Sequence, residues 1–237
     1  MNDLKQRKPR FVSEQQYQLQ QRARQSMLAF ERRIKRRFAW AILIMLCIAM
    51  IWGAISLLTK QKQQVVEEIS GVPLYMQMIP YGAPGRPGMQ REVKYIVIHE
   101  TANEAKGADA ENHARYLSQV QDTDTSWHYT VDDHEIWQQL PDEEVGWHAG
   151  DQQTPDGGNM CGIGVELCVN SDGDFTRTMQ NGAKLTAHLL LEHGLELSAV
   201  RQHCDFSGKD CPHIIRSQGR WEAFLQMVQT EMARQQG

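Results

Sequence analysis

The segment from residue 201 to residue 213, RQHCDFSGKDCPH, concentrates side chains that can bind a metal ion. His203 and Cys211 are eight positions apart in it, and Gly208 and Pro212 interrupt any regular helix. The segment is therefore predicted to be a loop or turn of fixed shape. Such a loop can bring an imidazole and a thiolate to one ion, and zinc suits this ligand pair best. Two ligands do not make a site, so a third is needed from elsewhere.

His99 is the predicted third ligand. It follows the short apolar run at residues 95–98, YIVI, which indicates a buried strand. A histidine at the end of such a strand lies at the edge of a sheet, where functional side chains are often presented. With His203 and Cys211 it gives three protein ligands and one open position. That pattern is typical of a catalytic zinc rather than a structural one.

Two charged residues are predicted to act beside this metal. Glu166 lies in the apolar strand sequence IGVELCV, where a carboxylate is costly unless it has a partner or a task. Next to a zinc-activated water it can accept a proton, and the alternative is a buried salt bridge with Arg201. Lys209 stands two positions before Cys211 and can stabilise a developing oxyanion. The alternative for Lys209 is a solvated loop lysine.

His128 in SWHYTVDD and His148 in GWHAG lie among aromatic residues that suit a substrate cleft. Each fits a core or supporting position equally well. Three cysteines remain outside the predicted metal site and the apolar N-terminal run, and an odd number cannot all form disulfides. These are Cys161, Cys168 and Cys204, and nothing in their spacing requires a pairing.

The elements that must position these residues alternate between strand and helix, which indicates one α/β domain. Strands are predicted at 95–98, 126–131, 135–139 and 163–169, and helices at 109–120, 179–195 and 220–234. Residues 71–88 contain four prolines and are predicted to be a linker or an extended arm. The folded domain is therefore placed at residues 72–237.

The N-terminal part of the chain is predicted to anchor the protein in a membrane. Residues 38–58, FAWAILIMLCIAMIWGAISLL, carry no charge and match the roughly 20 residues needed to cross a bilayer. Residues 1–37 form a basic, Gln-rich segment predicted to be helical, and residues 59–71 a juxtamembrane stretch. The positive-inside rule then places the N-terminus in the cytoplasm and the folded domain outside.

The charge of the chain is unevenly distributed. The net charge is −4, and residues 1–37 hold 11 basic and 3 acidic residues, so that the remainder carries −12. The basic cluster before residue 38 is interpreted as a signal for orientation and lipid contact, not as a nucleic-acid site. The acidic domain is not expected to be attracted broadly to anionic polymers.

Five segments in order resemble the zinc-dependent N-acetylmuramoyl-L-alanine amidases of type 2, in the superfamily of phage endolysins and peptidoglycan recognition proteins. They are YIVIHETAN, SWHYTVDD, GWHAGD, GIGVELCVNSDGDF and QHCDFSGKDCPH. The resemblance covers roughly residues 72–230 and is nearest to the Bacillus and phage endolysin branch. It implies a central mixed β-sheet flanked by helices, with the zinc in a surface cleft.

The resemblance also assigns roles to individual residues. It places the zinc ligands at His99, His203 and Cys211, the catalytic glutamate at Glu166, and the lysine that some members carry at Lys209. These are the same five residues that the local chemistry singles out. The aromatic position before the strand histidine holds Trp127, where related enzymes often have tyrosine, so a role for a tyrosine hydroxyl does not transfer. Trp127 joins His128 and His148 as a predicted substrate contact.

The function implied is that of a membrane-anchored peptidoglycan hydrolase facing the cell wall. A zinc-activated water, deprotonated by Glu166, would cleave the amide between the lactyl group of N-acetylmuramic acid and the L-alanine of the stem peptide. Lys209 and the zinc would hold the oxyanion. The alternatives are a non-catalytic peptidoglycan receptor and a membrane scaffold. Cys211 favours the enzyme, since binding-only members of the superfamily typically lack this ligand.

Overall fold

The computed structural model of the chain describes residues 14–58, 64–120 and 123–237. The chain divides into two compact units, Met1–Lys62 and Gln63–Gly237. In the first unit the described residues form helix α1, Glu14–Leu58. The predicted segment 1–37 and juxtamembrane stretch 59–71 lie partly outside the described residues.

The predicted transmembrane span at residues 38–58 is wrong for the described part of the chain. No helix there is both long and apolar enough to cross a membrane. The predicted single-pass location at the cell membrane, with a cytoplasmic N-terminus and an outer catalytic domain, depended on this span and is therefore wrong as well.

The second unit is built on a seven-stranded mixed β-sheet, which confirms the predicted central sheet. Its strands in chain order are β1 (Glu67–Ile69), β2 (Val72–Met76), β3 (Tyr95–Glu100), β4 (Tyr129–Val131), β5 (Ile136–Gln138), β6 (Gly162–Leu167) and β7 (Val200–Gln202). The order across the sheet is β1-β2-β5-β4-β6-β3-β7. The β1–β2 and β4–β5 pairs are antiparallel, and the other four pairs are parallel.

Helices accompany this sheet, as predicted. They are α2 (Ala110–Gln119), α3 (Gly158–Cys161), α4 (Phe175–Glu192), α5 (Cys204–Ser207), α6 (His213–Ser217) and α7 (Trp221–Gln236), with a 3₁₀ turn at Leu197–Ala199. Asp109 caps α2 by accepting a hydrogen bond from the Asn112 amide, and Asp174 caps α4 through the amides of Thr176 and Arg177. Carboxylates at these positions satisfy amides that the first helical turn leaves unpaired.

Residues 67–76 form a hairpin at the edge of the sheet, where the sequence predicts the end of the juxtamembrane stretch and the start of a linker or extended arm. Ser70 and Gly71 make the turn with positive φ angles of 50° and 77°. The hairpin is held by the buried side chains of Ile69, Val72 and Leu74. Each apolar run here is too short to indicate a strand by periodicity alone, which explains why the sequence did not reveal it.

The main core joins the central strands to α4 and α7. Ile98, Val165, Leu189 and Phe224 are all fully buried in it. This packing supports the strands whose ends carry the predicted metal ligands.

We expect Phe224→Ala to lower the free energy of unfolding by about 3–5 kcal/mol, because it removes a buried aromatic ring and leaves a cavity. Denaturant titration of the full-length protein measures this change. Tyr81 is 81% exposed, and Tyr81→Ala serves as the control with an expected loss within about 1 kcal/mol. Equal losses in the two variants would contradict the placement of α7 in the core.

Candidate active site

Parallel strand pairing brings the three predicted metal ligands together. His99 is the penultimate residue of β3, and His203 follows directly after the neighbouring strand β7. The His203 amide donates to the Ile98 carbonyl at 3.3 Å, which extends the pairing by one residue. Cys211 arrives from the loop between α5 and α6. The ligand atoms of these three residues all lie within 4.8 Å of one another.

The spacing of these atoms fits a zinc ion. The Nδ1 atoms of His99 and His203 are 2.9 Å apart, and the Sγ of Cys211 is 3.9 Å from the Nδ1 of His99. Tetrahedral zinc places two nitrogen ligands about 3.3 Å apart, and a nitrogen and a sulfur ligand about 3.6 Å apart. All three residues are buried. Two imidazoles and one thiol, converging in this way, are a donor set that zinc prefers.

The hydrogen bonds of His148 determine which nitrogen of His99 faces this centre. His148 Nε2 is 3.0 Å from the Gly162 carbonyl, which can only accept, so that nitrogen carries the proton. The bare Nδ1 of neutral His148 then accepts from His99 Nε2 at 3.0 Å. This leaves the Nδ1 of His99 free to bind a metal. A Cβ on Gly164 would lie 2.7 Å from the His148 ring, so glycine at this point of β6 makes room for the imidazole.

We expect His148→Phe to weaken zinc binding about 10- to 100-fold, because partners that orient a metal ligand typically contribute this much affinity. The substitution keeps a ring but removes both hydrogen bonds. Competition with a chromophoric chelator measures the affinity. His134, whose side chain is 74% exposed, provides the control His134→Phe. Unchanged zinc affinity in His148→Phe would contradict the orienting role.

Burial sets the protonation states of the ligands. Burial, followed by the charges of the neighbouring imidazoles, holds the pKa of His99 well below its usual range. Burial also lowers the pKa of His148 to about 3 and that of His203 to about 4. The imidazoles are therefore neutral, as metal binding requires. Burial raises the pKa of the Cys211 thiol to about 12, so a bound cation is needed to hold it as a thiolate.

Glu166 stands beside His99 because β6 pairs in parallel with β3, with these two residues in register. Its Oε1 is 4.0 Å from the His99 Nδ1, and among the described residues its buried Oε2 has no hydrogen-bond partner. Burial raises the pKa of Glu166 to about 8, while the positive charge of Lys209 acts in the opposite direction. The alternative salt bridge with Arg201 is not formed, since Arg201 pairs with Asp205 at 3.0 Å.

Lys209 is exposed on the loop that carries Cys211. Its carbonyl accepts a hydrogen bond from the Cys211 amide at 2.7 Å. Burial raises the pKa of Glu166 and lowers that of His203, and the positive charge of Lys209 opposes the first shift and adds to the second. The segment at 201–213 is not a loop throughout: it begins with the last two residues of β7, includes the short helix α5, and ends on the first residue of α6.

The three predicted substrate contacts occupy different settings. Trp127 borders a cavity of about 310 Å³, and its Nε1 donates to Thr130 Oγ1 at 2.7 Å. His128 is fully buried: its Nδ1 accepts from the Gly164 amide at 3.0 Å and its Nε2 lies 2.9 Å from the Glu144 carbonyl. The structure therefore places His128 and His148 inside the protein, with both ring nitrogens of each engaged by protein groups.

The cavity beside Trp127 is lined by residues that the sequence alone did not single out. Its lining is formed by Thr101, Asn103, Ala108, Asn112, His113, Tyr116 and Trp127. Thr101 lies two residues beyond His99, so the cavity adjoins the end of β3. Tyr116 follows His113 by three positions on α2, a spacing that places both side chains on one helical face. That spacing was the available signal, but it points to a cavity only once the helix is placed.

Comparison with known proteins shows similarity to N-acetylmuramoyl-L-alanine amidases. The family model for N-acetylmuramoyl-L-alanine amidase matches residues 89–214. The chain is 47% identical over 153 residues to the N-acetylmuramoyl-L-alanine amidase XlyA of Bacillus subtilis (strain 168), covering 65% of this chain and 50% of that protein. It is 43% identical over 154 residues to CwlH, an amidase of the same organism, covering 65% of this chain and 60% of that protein. The chain thus spans about half to three fifths of these relatives.

Solved structures extend the likeness to the fold. The structure of the catalytic domain of XlyA superimposes with a TM-score of 0.63 at 46% identity, covering 66% of this chain and 99% of that one. The structure of PlyL gives a TM-score of 0.59 at 31% identity, covering 66% and 96%.

Proposed function

Because the chain belongs to the N-acetylmuramoyl-L-alanine amidase family, we propose that it is a zinc-dependent peptidoglycan hydrolase. The bond cleaved is the amide between the lactyl group of N-acetylmuramic acid and the L-alanine of the stem peptide. The activity belongs to the domain predicted at residues 72–237, together with the β1 strand that precedes it. The convergence of the ligand atoms of His99, His203 and Cys211 beside Glu166 is the observation that carries this proposal.

His99, His203 and Cys211 would hold the zinc, leaving one position open. A bound zinc ion supplies a Lewis acid that can lower the pKa of water from about 15.7 toward roughly 7. The chain fixes the ligand geometry through the parallel strands β3 and β7, and His148 keeps the His99 imidazole in the required tautomer. The ligands are thus oriented before the substrate arrives.

Glu166 would act as general base and then as general acid. It accepts the proton of the attacking water and returns it to the leaving amine of L-alanine, so that the amide C–N bond breaks as a C–O bond forms. Its buried Oε2, which has no hydrogen-bond partner in the described part of the chain, supports this role, because a carboxylate without hydrogen bonds is costly to keep inside a protein. Lys209 would stabilise negative charge on the carbonyl oxygen, and its exposed position lets the ammonium group reach a bound substrate.

Trp127 and Tyr116 would contact the part of the substrate that lies beside the reacting amide. The cavity that they border adjoins the end of β3 and has mostly apolar walls with two asparagine amides. Such a combination suits a sugar or peptide with both apolar faces and hydrogen-bonding groups. His148 supports the metal ligand His99 from inside, and the ring of His128 packs edge-on against that of His148.

The products formed from purified peptidoglycan test the proposal. The full-length zinc-loaded protein should release new L-alanine amino groups without new reducing sugar ends, and a chelator should abolish the release. New reducing ends would instead identify a glycosidase. Zinc binding with no cleavage of any peptidoglycan type would favour a non-catalytic peptidoglycan receptor.

A further inference from the structure

Glu100, the last residue of β3, joins the strand of one metal ligand to the segment that carries another. Its side chain is buried, and its two carboxylate oxygens accept hydrogen bonds from the amides of Ile214 and Ile215 at 2.7 and 2.9 Å. Both amides belong to α6, which begins two residues after Cys211. One carboxylate therefore ties the neighbour of His99 to the chain directly behind the thiol.

The backbone of Glu100 makes a second contact with the same segment. Strand β7 pairs with β3 only as far as Ile98, so the pairing ends before Glu100. The Glu100 amide instead donates to the Sγ of Cys211 at 3.5 Å. The amide and the carboxylate of one residue thus act on the thiol and on the helix that follows it.

A buried carboxylate at this place carries a cost that must be offset. Burial raises the pKa of Glu100, while the Ile214 and Ile215 amides and the charge of His213 act in the opposite direction, and Asp210 adds to the rise. An ordinary helix cap would achieve the same hydrogen bonding from an exposed position, as Asp174 does for α4. Glu100 differs from such a cap because its side chain is buried and because it directly follows His99 in the chain.

We propose that Glu100 is a positioning residue for the cysteine ligand, holding residues 211–215 against the end of β3 so that Sγ faces His99 and His203. The inference rests on the proposed zinc function of these three residues. Glu100 would serve that function through Cys211 and would not itself be a metal ligand or a substrate contact.

Zinc affinity of the full-length protein tests this inference. Chelator competition should show zinc binding about 10- to 100-fold weaker in Glu100→Ala, the range usual for partners behind a metal ligand. Glu100→Gln, which keeps one accepting oxygen, should fall between this variant and the wild type. The Co²⁺-loaded variants should lose thiolate-to-metal charge-transfer absorption in the same order. Asp174→Ala is the control, because it removes a carboxylate that likewise accepts hydrogen bonds from two backbone amides, here those of α4. Its zinc affinity should stay within about twofold of wild type.

A second readout needs no metal. In metal-free protein, alkylation of Cys211, followed by peptide mass spectrometry, should be at least about 10-fold faster in Glu100→Ala than in wild type or Asp174→Ala, because the buried thiol is released. Wild-type zinc affinity and alkylation rate in Glu100→Ala would overturn the inference, as would equal changes in Asp174→Ala. Failure of the wild type to bind zinc would contradict the proposed function. The alkylation rates of the metal-free proteins would still test whether Glu100 positions Cys211.

Discussion

Glu166→Gln is expected to lower the turnover number on peptidoglycan about 100- to 10,000-fold while the protein keeps its zinc. The amide has nearly the same shape as the carboxylate but cannot accept the proton of the attacking water. The Oε1 of Glu166 is 4.0 Å from the His99 Nδ1, beyond hydrogen-bond distance, so the substitution removes no hydrogen bond to that ligand. The expected loss is therefore in catalysis and not in metal binding. Steady-state kinetics together with metal analysis measures both quantities.

The control for this substitution is Glu231→Gln on α7. Glu231 forms an ion pair at 2.8 Å with the exposed Arg234, and pairs at the protein surface contribute little to stability. Turnover by this variant should equal that of the wild type. Near wild-type turnover in Glu166→Gln, with zinc retained, would show that another group accepts the proton.

Cys211→Ala should remove both zinc binding and hydrolysis. A residue that only orients a ligand typically contributes about 10- to 100-fold in affinity, so loss of a ligand should weaken binding by more than about 100-fold. The two remaining imidazoles cannot supply the thiolate charge that offsets the charge of the ion. Hydrolysis at zinc concentrations that saturate the wild type should fall to the background rate. Competition titration and amine release measure the two effects.

Cys204→Ala is the matched control, since Cys204 lies in the same segment, seven positions before Cys211. Its Sγ contacts Arg216 Nη1 at 2.7 Å and is not among the converging ligand atoms. This variant should bind zinc and cleave peptidoglycan as the wild type does. Loss of zinc in Cys204→Ala but not in Cys211→Ala would mean that the wrong cysteine has been assigned.

The central part of the fold could be predicted because its strands and helices carry strong local patterns. The run at 95–98 is apolar and β-branched, and the structure confirms a strand there. The helix predicted at 109–120 is confirmed as α2, which Asp109 caps. Glu166 could be predicted as a site residue because a carboxylate is unusual in an apolar strand. That His99 and Glu166 are adjacent depends on the β3–β6 register, which a single sequence does not specify.

Other features could not be derived because they depend on tertiary contacts. The hairpin at 67–76 has too few residues for a periodic signal, and its Gly71 and Pro73 belong to the proline-rich stretch that indicates a linker instead. His148 lies in an aromatic setting that suits a substrate cleft, and only the packed sheet reveals its bond to His99. Glu100 lies beyond the strand predicted at 95–98, and its hydrogen-bond partners are 114 and 115 residues away in the chain. The predicted transmembrane span rested on the length of the apolar run and on its lack of charge, and that prediction was wrong for the described residues.

The most direct test of the zinc amidase is a titration of metal-free full-length protein with zinc while amine release from peptidoglycan is followed. Hydrolysis should rise linearly and reach a plateau at about one zinc per chain, because His99, His203 and Cys211 form one site. Full hydrolysis before any zinc is added, or a filled zinc site that leaves every amide bond intact, would contradict this account.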